Sequence, residues 1–297
     1  MSFDPCVIIC SVLLCIFFGL HFAIKDCVSF LALVPINTFI ANKYVWNLVT
    51  TNFYESQPIK LVFELLLLFQ VTSNLSFTNS DSFALYFLVT VLGTSFFTSA
   101  YCFIRFFATR MDDMITDPLY GFSGVLICFI MLARQHRGNQ SVFYAFPLIT
   151  YHNLPILLWA LQLTLYIAGF GEFANDLPFT TISILLSWTF IRFYYKFEDK
   201  QGFGDDSDDF SFVAMFPTSL HPIVAPLSTG FYNLFALLNV VPPLEQKSEK
   251  KAGAHHLRYA SPAIAGSGLG LDSQDAVQER RRAKAIKVCP SVHLSVH

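Results

Sequence analysis

The sequence predicts an all-α membrane protein with a polar C-terminal tail, and three observations carry that reading. Hydrophobic residues make up 54% of the 297 and charged residues only 13%, against roughly a quarter charged in an average soluble domain. Uncharged runs rich in Phe, 33 residues in all, crowd the first two thirds, as expected where lipid receives the side chains. The last third turns to Ser, Gly, Ala and charge.

About 20 apolar residues span a bilayer as a helix, because only a closed hydrogen-bond ladder satisfies the backbone in hydrocarbon. The first such run, Cys6 to Ile24, lacks the basic flank and small-x-small site of a cleaved signal peptide and reads as a retained span. From Val28 to Tyr44 the chain is apolar but broken by Pro35 and Asn37. With the following Trp46-Asn47-Leu48-Val49-Thr50-Thr51 it predicts a partly immersed loop. Further spans fit Ile59 to Val71, Phe83 to Ala108, Leu119 to Ala133, Leu154 to Phe170 and Phe179 to Tyr195, six spans in all. Lys and Arg in the connecting loops are shared almost evenly between the two sides, so charge does not orient the bundle. Two sequons, Asn74-Leu75-Ser76 and Asn139-Gln140-Ser141, fall in alternate loops that face the same side.

The charged stretch from Glu198 to Asp206 closes the membrane domain. Beyond it, Phe210, Phe212, Phe216, Pro217 and the run His221 to Pro243 are apolar but punctuated by prolines. They predict helices lying on the membrane or against the bundle, with a seventh span as the alternative. The organisation is therefore 1–197 as the transmembrane domain, 198–244 as an apolar, aromatic membrane-proximal segment, and 245–297 as a largely disordered tail with a short basic helix around Asp275 to Ile286.

A net charge of -2 excludes a nucleic-acid partner, which needs a basic surface. The seven cysteines form no CxxC pair and meet no His at ligand spacing, so neither disulfide framework, metal site nor cofactor is implied. Cys6 and Cys10 lie near a membrane boundary where S-acylation occurs. The constellation nearest to chemistry is Gly121-Phe122-Ser123-Gly124 at the start of the fourth span. A serine in such a turn attacks a peptide bond only with a base to take its proton and donors for the oxyanion. No histidine lies in the sixth span, and His152 at the mouth of the fifth is the one substitute. Gly121 and Gly124 at i, i+3 also serve simple close helix packing. Glu64 and Arg105 are ionisable groups near membrane depth: they pair, or Arg105 reaches the interface while Glu64 is protonated or faces the bundle interior.

Ser187-Trp188-Thr189-Phe190-Ile191-Arg192-Phe193-Tyr194, Gly204-Asp205 and the run Asp208 to Pro217 resemble the hallmark stretch of the transmembrane protein 115 family. Arg258-Tyr259, Asp272 to Ala276, Glu279 to Arg282 and the loop Trp46 to Thr51 recur in the same order, so the resemblance covers most of the chain. It implies a rhomboid-like six-helix transmembrane bundle in the Golgi membrane without the protease dyad. It also implies both termini in the cytosol, and a role in Golgi-to-ER retrograde transport with the conserved oligomeric Golgi tethering complex. The chain departs from the family at Gln70-Val71-Thr72-Ser73-Asn74, where a Leu-Glu-Pro and Trp-Gly pattern is expected, and at Ser123, which matches active rhomboids.

The expected function is thus that of a pseudoprotease, a non-catalytic membrane protein that binds bilayer, clients and the tethering complex, with a homo-oligomer among its expected partners. Trp188, Arg192, Phe210, Phe212, Phe216 and Pro217 are its interaction candidates. The competing reading is an intramembrane serine protease with Ser123 as residual catalytic candidate. A transporter rests on Glu64 and Arg105 alone.

Overall fold

The computed structural model describes residues 4–24, 27–73, 81–143, 146–171, 175–197, 203–205 and 207–237. Helix α1, Pro5–Ala23, is capped by the Asp4 carboxylate, which accepts from the Cys6 amide at 3.1 Å. Two short helices follow, α2 Cys27–Leu31 and α3 Asn47–Thr50, with a π turn, Asn37–Ala41, between them. Next come α4 Pro58–Thr72, α5 Asp81–Thr109, α6 Asp113–Thr116 and α7 Ser123–Arg137. An antiparallel hairpin, β1 Ser141–Phe143 and β2 Phe146–Thr150, pairs Ser141 with Thr150 and Phe143 with Phe146. Helices α8 Leu154–Ile167, α9 Leu177–Phe193 and α10 His221–Leu237 complete the order. Proline stands in the first turn of α1, α4, α8 and α9, where its fixed φ suits a helix and its missing amide leaves no bond unmade.

Each of the six apolar runs folds as a helix, but the boundaries move where backbone chemistry overrides apolarity. The fourth begins at Ser123 and not Leu119, because Leu119 and Leu33 exchange backbone hydrogen bonds of 2.8 and 2.9 Å and Gly121 sits at φ +152°. Only α1 and α5, among the described residues, are both long and apolar enough to cross a membrane unaided. The 15, 15, 14 and 17 residues of α4, α7, α8 and α9 fall short of the roughly 20 a bilayer asks for. The loop after α1 ties several of its polar side chains to its own backbone and to neighbouring segments. Thr50 and Thr51 donate to the carbonyls of Leu31 and Leu119, and Asn52 donates to Ser95 on α5 at 2.7 Å.

Helix α7 is the axis of the fold. Every residue from Ser123 to Arg134 is buried, and α9, α4, α5 and α8 pack around it. On α5 polarity runs opposite to that of a soluble protein's helix. Helix α5 turns Thr90, Thr94, Ser95, Thr98 and Ser99 inward, while Leu85, Leu88, Phe97 and Ile104 point out and are at least half exposed. Small hydroxylated residues let helices approach closely and bond one another where the surroundings are as apolar as the side chains.

After α9, single-turn 3-10 segments at Asp208–Phe210, Val213–Met215 and Thr218–Leu220 lead into α10, which contains Pro226. Tyr232 on α10 lies 6.2 Å, ring to ring, from Phe193 on α9, in keeping with a segment laid against the bundle. The described helices belong to one compact unit that ends at Val241. The tail read as disordered, its basic helix, and the sequon at Asn74 lie outside the described residues.

Candidate functional site

The starts of α4, α7 and α9 meet at one end of the bundle. Ser123 is the first residue of α7, and its Oγ accepts a 2.8 Å hydrogen bond from Thr180 Oγ1 on α9. Ser183, one turn further along α9, donates to the Gly124 carbonyl at 2.7 Å. The neighbour that a nucleophilic serine would require as base is therefore a second hydroxyl. Gly121 has a reason of its own: a Cβ there would meet the Asp176 Cβ at 2.4 Å and its Oδ2 at 2.7 Å. Gly124 gives α7 room against Thr94 and Phe179, whose atoms a Cβ would meet at 3.3 and 3.7 Å.

Asp176 caps this arrangement as part of a buried ionic cluster. Lys60 on α4 stands 2.8 Å from Glu55 Oε2 and 3.1 Å from Asp176 Oδ2, with both carboxylate side chains fully buried. Gln162 on α8 donates to Asp176 Oδ1 at 3.4 Å. The other oxygen of Glu55 accepts from the Ser56 and Gln57 amides at the head of α4. One turn beyond Lys60, Glu64 is 2% exposed and neither of its oxygens has a hydrogen-bond partner. A cavity of about 220 Å³ opens over these groups, walled by α4 and α8 and floored by Ser123, Leu126 and Ile127 of α7 and Thr180 of α9. Its rim faces outward, since Ile59, Phe63 and Leu161 are 73%, 45% and 47% exposed.

His152 is nowhere near Ser123. Its amide donates to the Gly138 carbonyl at 2.9 Å, just past the far end of α7, and fifteen residues of helix separate the two by about 22 Å at 1.5 Å per residue. Its Nε2 donates instead to the Ala214 carbonyl. Burial, reinforced by Arg134, holds the His152 pKa below the ordinary histidine value. His21 has its Nδ1 2.5 Å from the Tyr54 hydroxyl. Arg105 lies against Tyr101, 5.7 Å from the ring centroid, and does not pair with Glu64; the ion pairs among the described residues are those of Lys60.

The interaction candidates gather at that far end, engaged with one another. Trp188 Nε1 donates to the Phe210 carbonyl at 3.0 Å, and Arg192 Nη1 to those of Asp205 and Ser207. Arg134 bonds the Asp209 carbonyl at 3.0 Å and stands 4.7 Å over the Phe210 ring. Phe212 packs on Trp188 at 5.3 Å and on Phe216 at 5.6 Å. Pro217 is exposed and precedes the 3-10 turn Thr218–Leu220.

A family model described as "Eukaryotic integral membrane protein (DUF1751)" matches residues 6–289. The chain belongs to this family. As a member of DUF1751 it is an integral membrane protein, in accord with its outward apolar surface and inward hydroxyls. It is 24% identical over 262 residues to Rhomboid-like protein 19 of Arabidopsis thaliana, covering 88% of this chain and 80% of that one. It is also 24% identical over 271 residues to the Transmembrane protein 115 homolog of Saccharomyces cerevisiae, covering 83% of this chain and 75% of that one. No solved structure matches. The similarity to transmembrane protein 115 read from Ser187 to Pro217 thus agrees with the relatives.

Sequence reasoning passed over Lys60, Glu55, Asp176, Gln162 and Thr180 in this DUF1751 chain. One signal was present: Lys60 and Glu64, four residues apart, share a helix face. The span read from Ile59 to Val71 already contains both; what the sequence does not show is that Glu55 and Asp176 meet Lys60.

Proposed function

We propose that this chain is a non-catalytic, rhomboid-like membrane protein that binds membrane-embedded clients in the groove between α4 and α8. The observation that carries the reading is the bond from Thr180 to Ser123: at the position from which a base would act, α9 presents a hydroxyl that cannot take a proton at neutral pH. The helix N-terminus at Ser123 supplies amides without intrahelical partners, but such donors stabilise charge only after a nucleophile has attacked. The groove offers apolar walls, an outward rim and a polar floor, which suits recognition of a segment arriving through the membrane.

In the fuller form of the proposal, α1, α4, α5, α7, α8 and α9 are six crossings in the Golgi membrane, with both termini cytosolic. The residues from 198 onward recruit the conserved oligomeric Golgi complex in retrograde transport to the ER. Resemblance from Ser187 to Pro217 supports this, as do the rhomboid-like and transmembrane protein 115 relatives. With both termini cytosolic, the Arg134 and Arg192 end of the bundle faces the cytosol and the Ser123 end faces the lumen.

A fluorescent serine-reactive phosphonate incubated with the purified full chain tests the non-catalytic half. No labelling above that of Ser123→Ala is expected; stoichiometric labelling of Ser123 would restore the protease reading.

A further inference from the structure

The polar floor of the groove is unbalanced in one direction. Lys60 is shared between Glu55 and Asp176, so one cation answers three carboxylates once Glu64 is counted. The orphaned buried atoms that face this cavity are Glu64 Oε1, Glu64 Oε2 and Gln162 Oε1. All three act as acceptors once Glu64 gives up its proton to pair, so a positively charged hydrogen-bond donor entering the cavity would complete it. Its volume of about 220 Å³ lies below the roughly 300–1,000 Å³ of a site that encloses a whole drug-sized ligand, and is nearer to one long side chain. Its rim opens on the lipid-facing surface through Ile59, Phe63 and Leu161.

We infer that the groove between α4 and α8 recognises a membrane-spanning helix carrying a lysine or arginine at membrane depth, whose cationic side chain enters the cavity and pairs with Glu64. The inference rests on the client-binding reading and names its substrate class. The aliphatic stem of such a side chain lies along Leu158 and Leu161, and its charged head gains Glu64 and the Gln162 carbonyl as acceptors. Buried ionisable groups in membranes pair with one another, so a helix with an unpaired cation and a groove with an unpaired carboxylate complete each other.

The full chain is reconstituted in phosphatidylcholine vesicles with labelled poly-leucine spanning peptides that carry at mid-span one lysine, one glutamate or leucine only, and association is read by energy transfer. The lysine peptide is expected to bind about tenfold more tightly than the leucine peptide, the size of one good interhelical polar contact, and the glutamate peptide more weakly than either. Glu64→Gln brings lysine and leucine peptides to parity, and Leu161→Trp, which fills the mouth, abolishes binding of both. Equal binding of all three peptides that Leu161→Trp still abolishes overturns the charge pairing and leaves the groove standing. Binding unaffected by Leu161→Trp, or no binding at all, overturns groove and pairing together. A lysine preference that survives Glu64→Gln, or one lost when phosphatidylethanolamine replaces phosphatidylcholine, also overturns the inference, the latter by assigning the cavity to a lipid amine. The glutamate peptide tests the charge on the unaltered chain, so a misfolded Glu64→Gln does not remove the test.

Discussion

At Gly121 the backbone is held at φ +152°, and the space a side chain would need is taken by Asp176. A motif that in sequence resembles a nucleophile's turn is thereby accounted for by the seat of a carboxylate, two helices distant in the chain. That carboxylate matters through Lys60, which it shares with Glu55. Removing one partner of a buried ion pair leaves an uncompensated charge and costs about 3–5 kcal/mol, whereas a group with no partner has nothing to lose. Lys60→Met is therefore expected to lower the thermal stability of the detergent-solubilised chain sharply, and Glu64→Gln to leave it nearly unchanged. Equal losses would show that Glu64 already has a structural partner. Little of this was legible in sequence, because the cluster joins residues from three segments and only the Lys60 and Glu64 spacing lies within one.

The elements themselves were more legible, since each apolar run became a helix, though only α1 and α5 reach the length and apolarity of a crossing among the described residues. The hairpin was missed because strands of three and five residues show no usable alternation. It is fixed by tertiary contacts: Gln70 on α4 donates to the Val142 carbonyl at 2.6 Å and Arg137 to that of Ser73 at 2.9 Å. The segment Phe210 to Pro217 is expected from sequence to dock against the bundle or a partner; Trp188 and His152 hold it to the bundle at Phe210 and Ala214, and Arg192 and Arg134 hold Ser207 and Asp209 just before it. His152 is the titrating member of this set, facing Arg134 and Asp209. With its folded pKa below the unfolded one, the folded state binds fewer protons. Its contribution is complete above the unfolded value and is lost as pH falls through the folded value. Limited proteolysis at this segment should be faster at acid than at neutral pH, and the difference should shrink in His152→Gln. A pH-independent cleavage rate would contradict this account of the docking.

Across the whole molecule an apolar core around α7 is flanked by α5, which turns serine and threonine inward and leucine, isoleucine and phenylalanine outward. Composition alone foretold the membrane, and α5 shows how the chain meets it: its small inward residues let helices approach closely, with Ser95 and Ser99 bonding back to carbonyls of their own helix, while the outer face needs only lipid. Three parallel helix starts, of α4, α7 and α9, converge on one end, which gathers Lys60, Ser123 and Asp176 under one cavity. The other end is closed by the returning 203–216 segment. The claim at the centre is that the groove binds and Ser123 performs no chemistry. The most direct measurement is the rate of Golgi-to-ER return of a retrograde reporter, in cells lacking this protein and supplied at matched level with the normal chain, Ser123→Ala or Leu161→Trp. The account predicts full rescue by Ser123→Ala and none by Leu161→Trp. Failure of a folded, correctly localised Ser123→Ala alongside full rescue by Leu161→Trp would contradict it.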